Sequence, residues 1–411
     1  MSAFLTFLLF LLVMAAVLRV DFFFYVLYLF FGLYVLAGLW VRRTLGRLSV
    51  QRRFTERAFL GEQVTIHLDL ANRSVLPLPW LHLRETRPLK LVSPPTLERV
   101  VSLGPRERLT VTYTLHARSR GYYPMGPLRL NAGDVLGLAA EQRQIDEIEH
   151  LTVYPQIVPL AALKLPSQSP LGALRTQQHI FEDPARVIGV RDYVAGDSLR
   201  RIHWKASAST GRLQVKKLEP AISLETAVFL NLNAAEYELR RRTIAAEFAI
   251  MVAASVANYV IAQRQTAGLY TNGRDPLAVG AGLVPAQAVR VPPGRGRTHL
   301  MRVLDVLARV EVEETFPFAE LLYRDSMGLP WGTTLVAITG QEDEALASAL
   351  LTLKRRGFLV VVILVDEPTG AGLLERAGFT VRRITDERDL RRWGGAGQRI
   401  ERVSGLSGCS G

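Results

Sequence analysis

The hydrophobic and polar positions of the chain change pattern several times, and the first pattern is a pair of long apolar runs. Residues 1–18 contain no charged side chain, Arg19 and Asp21 interrupt the run, and residues 22–41 are again uncharged. A membrane span needs about 20 apolar residues, with about 17 as the lower limit. The pattern therefore predicts a transmembrane hairpin over residues 1–41, with a very tight turn between its two helices.

A basic stretch follows the second apolar run, over residues 42–54. By the positive-inside rule it predicts that the chain after the hairpin is cytoplasmic, so that the protein is a multi-pass cell-membrane protein with cytoplasmic soluble domains. The alternative, a cleaved signal peptide, lacks a basic first region and a small-residue cleavage site before a second long span. Six arginines stand near this boundary against one acid, Glu56: Arg42, Arg43, Arg47, Arg52, Arg53 and Arg57.

Alternating apolar and polar positions begin after the basic stretch, and they predict short β-strands. The alternation is clear in 64–72, 80–86 and 108–117, with turn residues between the segments. Strands at this spacing without helical periodicity are typical of a small β-sandwich, which we place at residues 55–155. Residues 156–223 then combine a proline-containing linker with a dense charged segment.

From residue 224 to residue 393 apolar strands alternate with amphipathic or Ala-rich helices. Continuous apolar strands between helices predict a parallel sheet that is covered on both faces. This part is therefore expected to be a doubly wound α/β domain. Residues 394–411 are expected to be a flexible tail, and it contains the single cysteine, Cys409, which excludes a disulfide framework and a cysteine metal cluster.

The composition is strongly basic, with 50 Lys and Arg against 38 acids, a net charge of +12 and a pI near 10.1. A basic domain beside an anionic inner leaflet is stabilised there by the lipid charge, so the lipid bilayer is the first expected partner. Nucleic acid is disfavoured, because the basic residues are spread along the chain and no helix-turn-helix, zinc-finger or aromatic RNA platform is present.

The ends of two predicted parallel strands are the place where a doubly wound sheet binds its ligands. The strand, long helix and "ITG" strand end of the α/β domain resemble a von Willebrand factor type A domain. That family holds a divalent ion with an Asp-x-Ser-x-Ser loop, a Thr and the Asp of a Thr-Asp-Gly turn. Here the corresponding positions are Asn231, Asn233 and Ala235, and Gly340 follows Thr339 directly. The resemblance is therefore to a degenerate member, and we expect no metal and no cofactor.

The segment "GVRDYVAGDSLRRIHWKASASTGRLQVKKLEP", residues 189–220, resembles the signature of the domain-of-unknown-function 58 family. The two apolar runs, the β-rich insert and residues 293–311 are also similar to that family, while Ser209 stands where an Arg is common. The resemblance implies a membrane-anchored protein with a partner such as a MoxR-type AAA+ ATPase. The signature residues are Arg191, Asp192, Tyr193, Gly196, Asp197, Arg200, Arg201, His203, Trp204 and Lys205.

The residue types of the signature leave two interpretations open. In the first, Arg–Asp pairs and a large buried anchor, Trp204, lock the segment against the α/β domain. In the second, an Arg-rich surface grips an acidic partner or a phosphate. Arg200 and Arg201 are adjacent, so in an extended segment one of the two would reach the surface.

Catalysis has little support, because the chain lacks a G-x-S-x-G elbow, a phosphate-binding P-loop and an H-E-x-x-H motif. We therefore expect a membrane-tethered scaffold or adaptor that docks a protein. The rival hypothesis is a membrane-bound hydrolase or phosphate-acting enzyme that uses His203, Asp192 and Asp197. An enzyme would gather these three side chains in one concave pocket, and this criterion separates the two hypotheses.

Overall fold

The structure is a computed structural model that describes residues 2–18, 21–92, 94–160, 182–194, 197–220, 225–277, 288–330, 332–365 and 372–392. The signature residue Gly196, the side chain of Arg200 and the tail 394–411 lie outside the described part. The chain divides into two compact units. The first is Met1–Gln156 with Leu304–Val310, and the second is Ile157–Val303 with Glu311–Gly411.

Two apolar helices open the first unit, α1 at Ser2–Leu18 and α2 at Asp21–Gly46. They pack on each other, with Ala15 fully buried and an edge-to-face contact between the rings of Phe7 and Phe30 at 5.7 Å. Helix α2 is long and apolar enough to cross a membrane, whereas α1 is a shorter apolar helix. Helix α2 continues five residues beyond the predicted end of the hairpin, which was residue 41.

After these helices, the first unit contains a β domain of ten strands within the described residues, in sheets of three, three and four strands. The burial of alternate residues along strands such as Gln63–Asn72 explains why the period-two pattern was readable in the sequence. The strands are β1 Leu48–Arg53, β2 Arg57–Phe59, β3 Gln63–Asn72, β4 Leu78–Thr86, β5 Thr96–Leu103, β6 Arg108–His116, β7 Gly121–Met125, β8 Leu128–Gly133, β9 Ala140–Ile145 and β10 Glu149–Tyr154.

The sequence predicted a separate basic segment over residues 42–54, and the structure does not contain one. These residues form the last turn of α2 and strand β1, which pairs antiparallel with β3. Arg52 lies inside the β domain, where its Nε donates to Glu85 Oε1 at 2.8 Å while Tyr113 donates to Glu85 Oε2 at 2.7 Å. Burial and the nearby Glu85 raise the pKa of the Tyr113 hydroxyl. Arg52 therefore stabilises the fold from within instead of facing lipid headgroups.

The signature segment forms an antiparallel pair of strands in the second unit, β11 at Glu182–Asp192 and β12 at Gln214–Pro220. A 3₁₀ turn at Leu199–Arg201 and a seven-residue helix, α3 at Trp204–Thr210, lie between the two strands. The signature part of residues 156–223 therefore has a regular fold of its own, while most of the predicted linker before it lies outside the described residues.

The remainder of the second unit confirms the predicted α/β domain with a parallel sheet. Six strands stand in the order β15-β14-β13-β16-β17-β18, and all neighbours are parallel except β14 and β15. The strands are β13 Glu225–Leu230, β14 Thr266–Thr271, β15 Val289–Gly294, β16 Thr334–Thr339, β17 Leu359–Val365 and β18 Thr380–Ile384. The helices are α4 Arg242–Ala262, α5 Arg297–Arg309, α6 Phe318–Ser326, α7 Glu344–Arg355, α8 Leu373–Arg376 and α9 Glu387–Arg392.

Helix α4 is the second described helix that is long and apolar enough to cross a membrane, yet its side chains are mostly buried within the domain. Its alanines allow close packing on β13 and β14. Helix α4 is therefore a core helix. In the sheet, the chain proceeds from β13 in one direction to β15, and then from β16 in the other direction to β18. The switch point, where a doubly wound sheet binds ligands, lies between β13 and β16.

Candidate functional site

The switch point contains a buried polar network, which we call the strand-end network. Asn231 follows β13 directly, and its Nδ2 donates to Glu236 Oε2 at 2.7 Å and to Thr339 Oγ1 at 3.0 Å. Its Oδ1 accepts from the backbone N–H of Asn233 at 3.0 Å and from Nδ2 of Asn272 at 3.2 Å. Asn231 thus has partners for both its donor and its acceptor groups, and it is fully buried.

The second half of the network attaches neighbouring loops to the sheet. Asn233 Oδ1 accepts from the backbone N–H groups of Ala235 and Thr315, both at 3.2 Å. Glu236 Oε1 accepts from the N–H of Phe318 at 3.0 Å, which is the first residue of α6. A carboxylate at a helix N-terminus satisfies an otherwise unpaired N–H and is favoured by the helix dipole. Glu236 is therefore bound to protein groups on both of its oxygens.

The residues at the switch point do not fit a divalent ion. Hard cations such as Mg²⁺ need oxygen ligands, but Asn231 directs its amide N–H groups, not its oxygen, toward Thr339 and Glu236. The position after Thr339 has no room for a carboxylate, since a Cβ added at Gly340 would lie 2.4 Å from the ring of Tyr237. The Tyr237 hydroxyl donates to the Asn231 carbonyl at 2.6 Å, which fixes the ring over Gly340.

Asn231, Asn233 and Thr339 lie together at one sheet edge, whereas Glu236, Tyr237 and Asn272 were not predicted to belong to the network. Asn272 follows β14, the parallel neighbour of β13, so the adjacency of the two strand ends could have indicated it. Glu236 could not be found in this way, because it belongs to a 3₁₀ turn whose direction the sequence pattern does not specify.

In the signature segment, Arg191 and Asp197 form a bidentate ion pair. Arg191 Nη1 donates to Asp197 Oδ2 and Nη2 donates to Oδ1, both at 2.7 Å, and the backbone N–H of Val194 donates to Oδ2 at 3.0 Å. These hydrogen bonds, led by the one from Arg191, lower the pKa of Asp197 to about 2. The pair is exposed to solvent, so it holds the turn between Arg191 and Asp197 in shape more than it stabilises the whole fold.

His203 and the two signature carboxylates each form hydrogen bonds with different partners. His203 is the N-cap of α3, and its Nδ1 accepts the N–H of Ala206 at 3.1 Å. Asp192 instead accepts a hydrogen bond from Gln214, and Asp197 is held by Arg191. Within the described residues, no hydrogen bond joins His203 to either carboxylate. Each of the three side chains therefore has a local structural role.

A concave site was the criterion for the enzyme hypothesis, and a groove in the described part of the chain lies outside the signature segment. It has a volume of about 620 Å³ and lies in the β domain, where Arg53, Arg57, Glu62 and His67 are among the residues that line it. The signature residues are absent from that lining. The groove thus offers no support for chemistry by the signature segment.

Trp204 is not the buried anchor of the first interpretation, because 69% of its surface is exposed at the start of α3. Leu199 is 66% exposed in the preceding 3₁₀ turn, and Val194 is also exposed. The turn also corrects the expectation that Arg200 and Arg201 lie in an extended segment with alternating sides. The side chain of Arg201 is exposed, as is that of Lys205. We call Val194, Leu199, Arg201, Trp204 and Lys205 the signature surface.

The position of Trp204 follows from the hydrogen bonds that hold its neighbours. The His203 N–H donates to the Gln214 carbonyl at 2.8 Å, and the Ser207 hydroxyl accepts from the Gln214 N–H at 2.8 Å. Ile202 is buried beside Val215, with which it forms a β-bridge. Residues 202 and 203 are thus fastened to β12, and the side chain that follows them is left on the outside.

Comparisons with solved structures find small regions of likeness. A CARDB domain from Pyrococcus furiosus is 14% identical with a TM-score of 0.19, over 26% of this chain and 91% of that chain. Native alpha-2-macroglobulin from Escherichia coli is also 14% identical with a TM-score of 0.23, over 28% of this chain and 17% of that chain.

Sequence comparisons extend much further along the chain. The protein YeaD of Bacillus subtilis, described as uncharacterized, is 23% identical over 350 residues, which are 84% of this chain and 81% of that protein. A family model, described as protein of unknown function DUF58, matches residues 189–363. The match begins at the signature segment and ends within β17, so it includes both the signature surface and the strand-end network. The signature segment and most of the α/β domain therefore match the DUF58 family model.

Proposed function

We propose that the protein is a membrane-tethered cytoplasmic adaptor that docks a protein partner through the signature surface. The observation that carries the proposal is the exposure of Trp204, together with the exposed apolar side chains of Leu199 and Val194 in the same short segment. Large exposed apolar side chains rimmed by polar ones mark interaction sites, and Trp is the residue type most enriched among binding hot spots.

The charges around these apolar side chains favour an acidic partner. Arg201, Lys205 and Arg212 are exposed within the segment, and the whole chain has a net charge of +12. Complementary charge accelerates encounter and selects the partner more than it adds affinity. A MoxR-type AAA+ ATPase is the partner that we propose, since the family resemblance of the sequence implied an association of that kind.

Membrane anchoring by α1 and α2 is the second part of the proposal. Large apolar side chains are exposed along α2, among them Phe22, Tyr25, Leu29 and Leu36. The comparable apolar helix α4 instead buries its side chains against the sheet. An apolar helix exposed on most sides needs an apolar solvent, which the bilayer supplies. Arg42 and Arg43 are exposed after the apolar stretch and favour a cytoplasmic continuation.

The α/β domain acts in this proposal as a rigid, metal-independent base for the signature segment. We interpret it as a degenerate von Willebrand factor type A-like domain, in which the hydrogen bonds of Asn231, Glu236 and Thr339 take the place of a metal ion. Support comes from the doubly wound strand order and from Tyr237, which occupies the space of an acidic side chain at position 340.

The docking proposal is tested with the Trp204→Ala variant of the full-length protein in nanodiscs and the purified MoxR-type ATPase of the same organism. Loss of a Trp hot spot costs about 2 kcal/mol or more, so we expect Kd to rise by more than about tenfold in an interferometry measurement. Because Trp204 is exposed, its removal is expected to change the free energy of unfolding by less than about 0.5 kcal/mol.

Leu239→Ala is the matched control, since Leu239 is an exposed apolar residue of the same unit outside the signature segment. We expect it to bind the ATPase like the parent protein. Unchanged binding by Trp204→Ala, or equal losses in both variants, would contradict the proposed docking surface.

The anchoring proposal is tested by reporters fused after residue 411. An alkaline phosphatase fusion is expected to be inactive and a fluorescent-protein fusion to be bright, because the former matures outside the cytoplasm and the latter inside it. The opposite result would show that the positive-inside interpretation of Arg42 and Arg43 is wrong.

A further inference from the structure

The end of helix α2 is part of the core of the β domain. Ala37, Val41 and Leu45 are buried there, and Arg143 Nη1 donates to the carbonyls of Leu45 at 3.1 Å and Leu48 at 2.8 Å. The arginine therefore satisfies a carbonyl that the helix end leaves without an intrahelical partner. This end of the β domain is fixed to the apolar helix without a linker. These helix residues share one hydrophobic cluster with Leu70, Leu78, Leu81, Leu83, Leu103, Leu128, Leu130, Ala132 and Ala139.

Trp40, Arg42 and Arg43 mark the position along α2 at which the helix passes from an apolar environment into water. Tryptophan is enriched at membrane–water interfaces, and exposed arginines lie on the aqueous side. The Trp40 Nε1 donates to the Pro77 carbonyl at 2.8 Å. The loop 73–77 of the β domain therefore lies beside the end of the apolar part of α2.

Two loops at this end of the β domain present apolar side chains to the outside, and we call them the helix-proximal loops, 73–77 and 134–139. Val135 is 74% exposed, Leu136 is 64% exposed, and Val75 and Leu76 are also exposed. Loop 73–77 leads into β4, and Trp80 of β4 pairs with the last residue of β8, directly before loop 134–139. Leu48, close to the end of α2, pairs with Asn72, directly before loop 73–77. The strand pairing therefore places the two loops together.

Buried polar side chains hold these apolar tips outward. Asn72 donates to the carbonyls of Leu76 at 2.9 Å and Gly104 at 2.8 Å. Asp134 accepts from the N–H groups of Leu136 at 3.0 Å and Ala139 at 2.7 Å. Asn72 and Asp134 thus fix the backbone of the two loops, and Val75, Val135 and Leu136 are exposed at their tips.

We infer that the helix-proximal loops insert into the headgroup–acyl boundary of the same leaflet from which α2 emerges. Apolar tips flanked by cations are the features that bind an anionic membrane surface. Exposed arginines stand at this end of the domain, on the helix end and on neighbouring loops: Arg42, Arg43, Arg47, Arg73 and Arg106. The β domain would then lie with this end in the bilayer surface.

This inference rests on the proposed anchoring by α2, and its test separates the two. Single cysteines for nitroxide labels are introduced into the full-length Cys409→Ser protein, reconstituted in vesicles of phosphatidylethanolamine and phosphatidylglycerol. Leu136→Cys and Val75→Cys report the loops, and Leu29→Cys reports the exposed face of α2. Leu89→Cys and Ile148→Cys are the matched controls, because Leu89 and Ile148 are exposed apolar residues beyond the opposite ends of β4 and β9.

The measurement is the ratio of spin-label collisions with oxygen, which partitions into lipid, to collisions with a water-soluble nickel chelate. We expect this ratio to be several-fold higher at positions 136 and 75 than at positions 89 and 148. Ratios at 136 and 75 equal to those of the controls, with a high ratio at position 29, would overturn the inference and leave the anchoring intact.

Exclusion of both collision partners from position 136 would mean that a protein or a second copy covers the loops, and this result would also overturn the inference. A low ratio at position 29 would overturn the anchoring proposal and the inference together. The expected pattern, high at 29, 75 and 136 and low at 89 and 148, is specific to insertion of the loops into lipid.

Discussion

The strand-end network and the signature surface are both dense in polar or charged residues, and they have opposite relations to solvent. Asn231 and Thr339 are buried, and both take part in the hydrogen bonds of the network. Trp204 and Leu199 are exposed on a short helix and turn. Side chains with partners inside the protein act on the fold, whereas exposed apolar side chains remain available to another molecule. The signature surface, not the classical ligand position of the sheet, is therefore the better candidate for function.

The largest effect is expected from Asn231→Ala, which removes the centre of the strand-end network. The N–H of Asn233, the amide of Asn272 and an oxygen of Glu236 would each lose a partner in a buried place. Leaving buried polar groups unpaired costs about 1–3 kcal/mol each where water cannot replace the partner, so a loss of about 3 kcal/mol is expected. Hydrogen exchange of the β13 and β16 peptides in urea measures it.

Asn131→Ala is the control for that variant, because Asn131 is a half-buried residue of β8 for which we expect less than about 0.5 kcal/mol. If Asn231→Ala lowered the free energy of unfolding as little as Asn131→Ala, the network would not stabilise the fold. The switch point would then again be a candidate ligand site.

A smaller loss is expected from Gly340→Ala. The added methyl group would lie 2.4 Å from the Tyr237 ring, and overpacking in a dense region costs about 1–3 kcal/mol. Tyr237→Leu makes room for the methyl group, so the double variant should lose less than the sum of the two single losses. Additive losses would show that the Tyr237 ring does not set the limit at position 340.

The part of the fold that could be predicted from sequence was the part with a strong local pattern. Strands β13, β16 and β17 are buried on both faces, so they read as continuous apolar runs that only a covered parallel sheet explains. Strand β1 was missed because "LSVQRR" reads as a charged stretch. Its Arg52 is buried beside two acidic partners, Glu85 and Glu149, which the local sequence does not contain. Strand β15 contains two prolines, which an edge strand tolerates.

The candidate site was harder to predict, because its character depends on burial. Trp204 has a large apolar ring, and in the sequence this favoured a core position. The ring is exposed because the two residues before it are held in place. His203 caps α3, and Ile202 is buried next to Val215. Whether a single aromatic residue anchors a core or docks a partner is decided by such tertiary contacts, and local sequence does not contain them.

The ion pair of the signature segment predicts a pH response that is confined to its own turn. Hydrogen bonds from Arg191 and Val194 lower the pKa of Asp197 to about 2. A lowered carboxyl pKa stabilises the folded turn above the usual Asp range of about 3.9, and this contribution is lost as the pH falls through about 2. Carboxyl NMR of ¹³C-aspartate protein should show the Asp197 titration there.

Arg191→Lys keeps the charge without the two-pronged guanidinium, so the pKa of Asp197 should rise part of the way to its usual range, and Arg191→Ala should raise it further. An unchanged pKa of Asp197 in both variants would mean that the pair does not form in solution. The turn that precedes Leu199 and Trp204 would then need another explanation.

The smallest expected effect is that of divalent ions on the α/β domain, for which we predict no change in Tm. Only a ligand that binds the native state raises Tm, and at one hundred times Kd the gain is about 2.7 kcal/mol. At the switch point the Asn231 amide N–H groups face Thr339 and Glu236, and the Tyr237 ring fills the position of an acid after Thr339. Thermal unfolding of the full-length protein in nanodiscs, with Mg²⁺ from zero to ten millimolar, measures the effect. The Asn231→Ala variant distinguishes ion binding at the switch point from ion binding to lipid headgroups. A rise in Tm that is present in the parent and absent in Asn231→Ala would show that the strand-end network binds metal, and the contrast between a structural switch point and a functional signature surface would no longer hold.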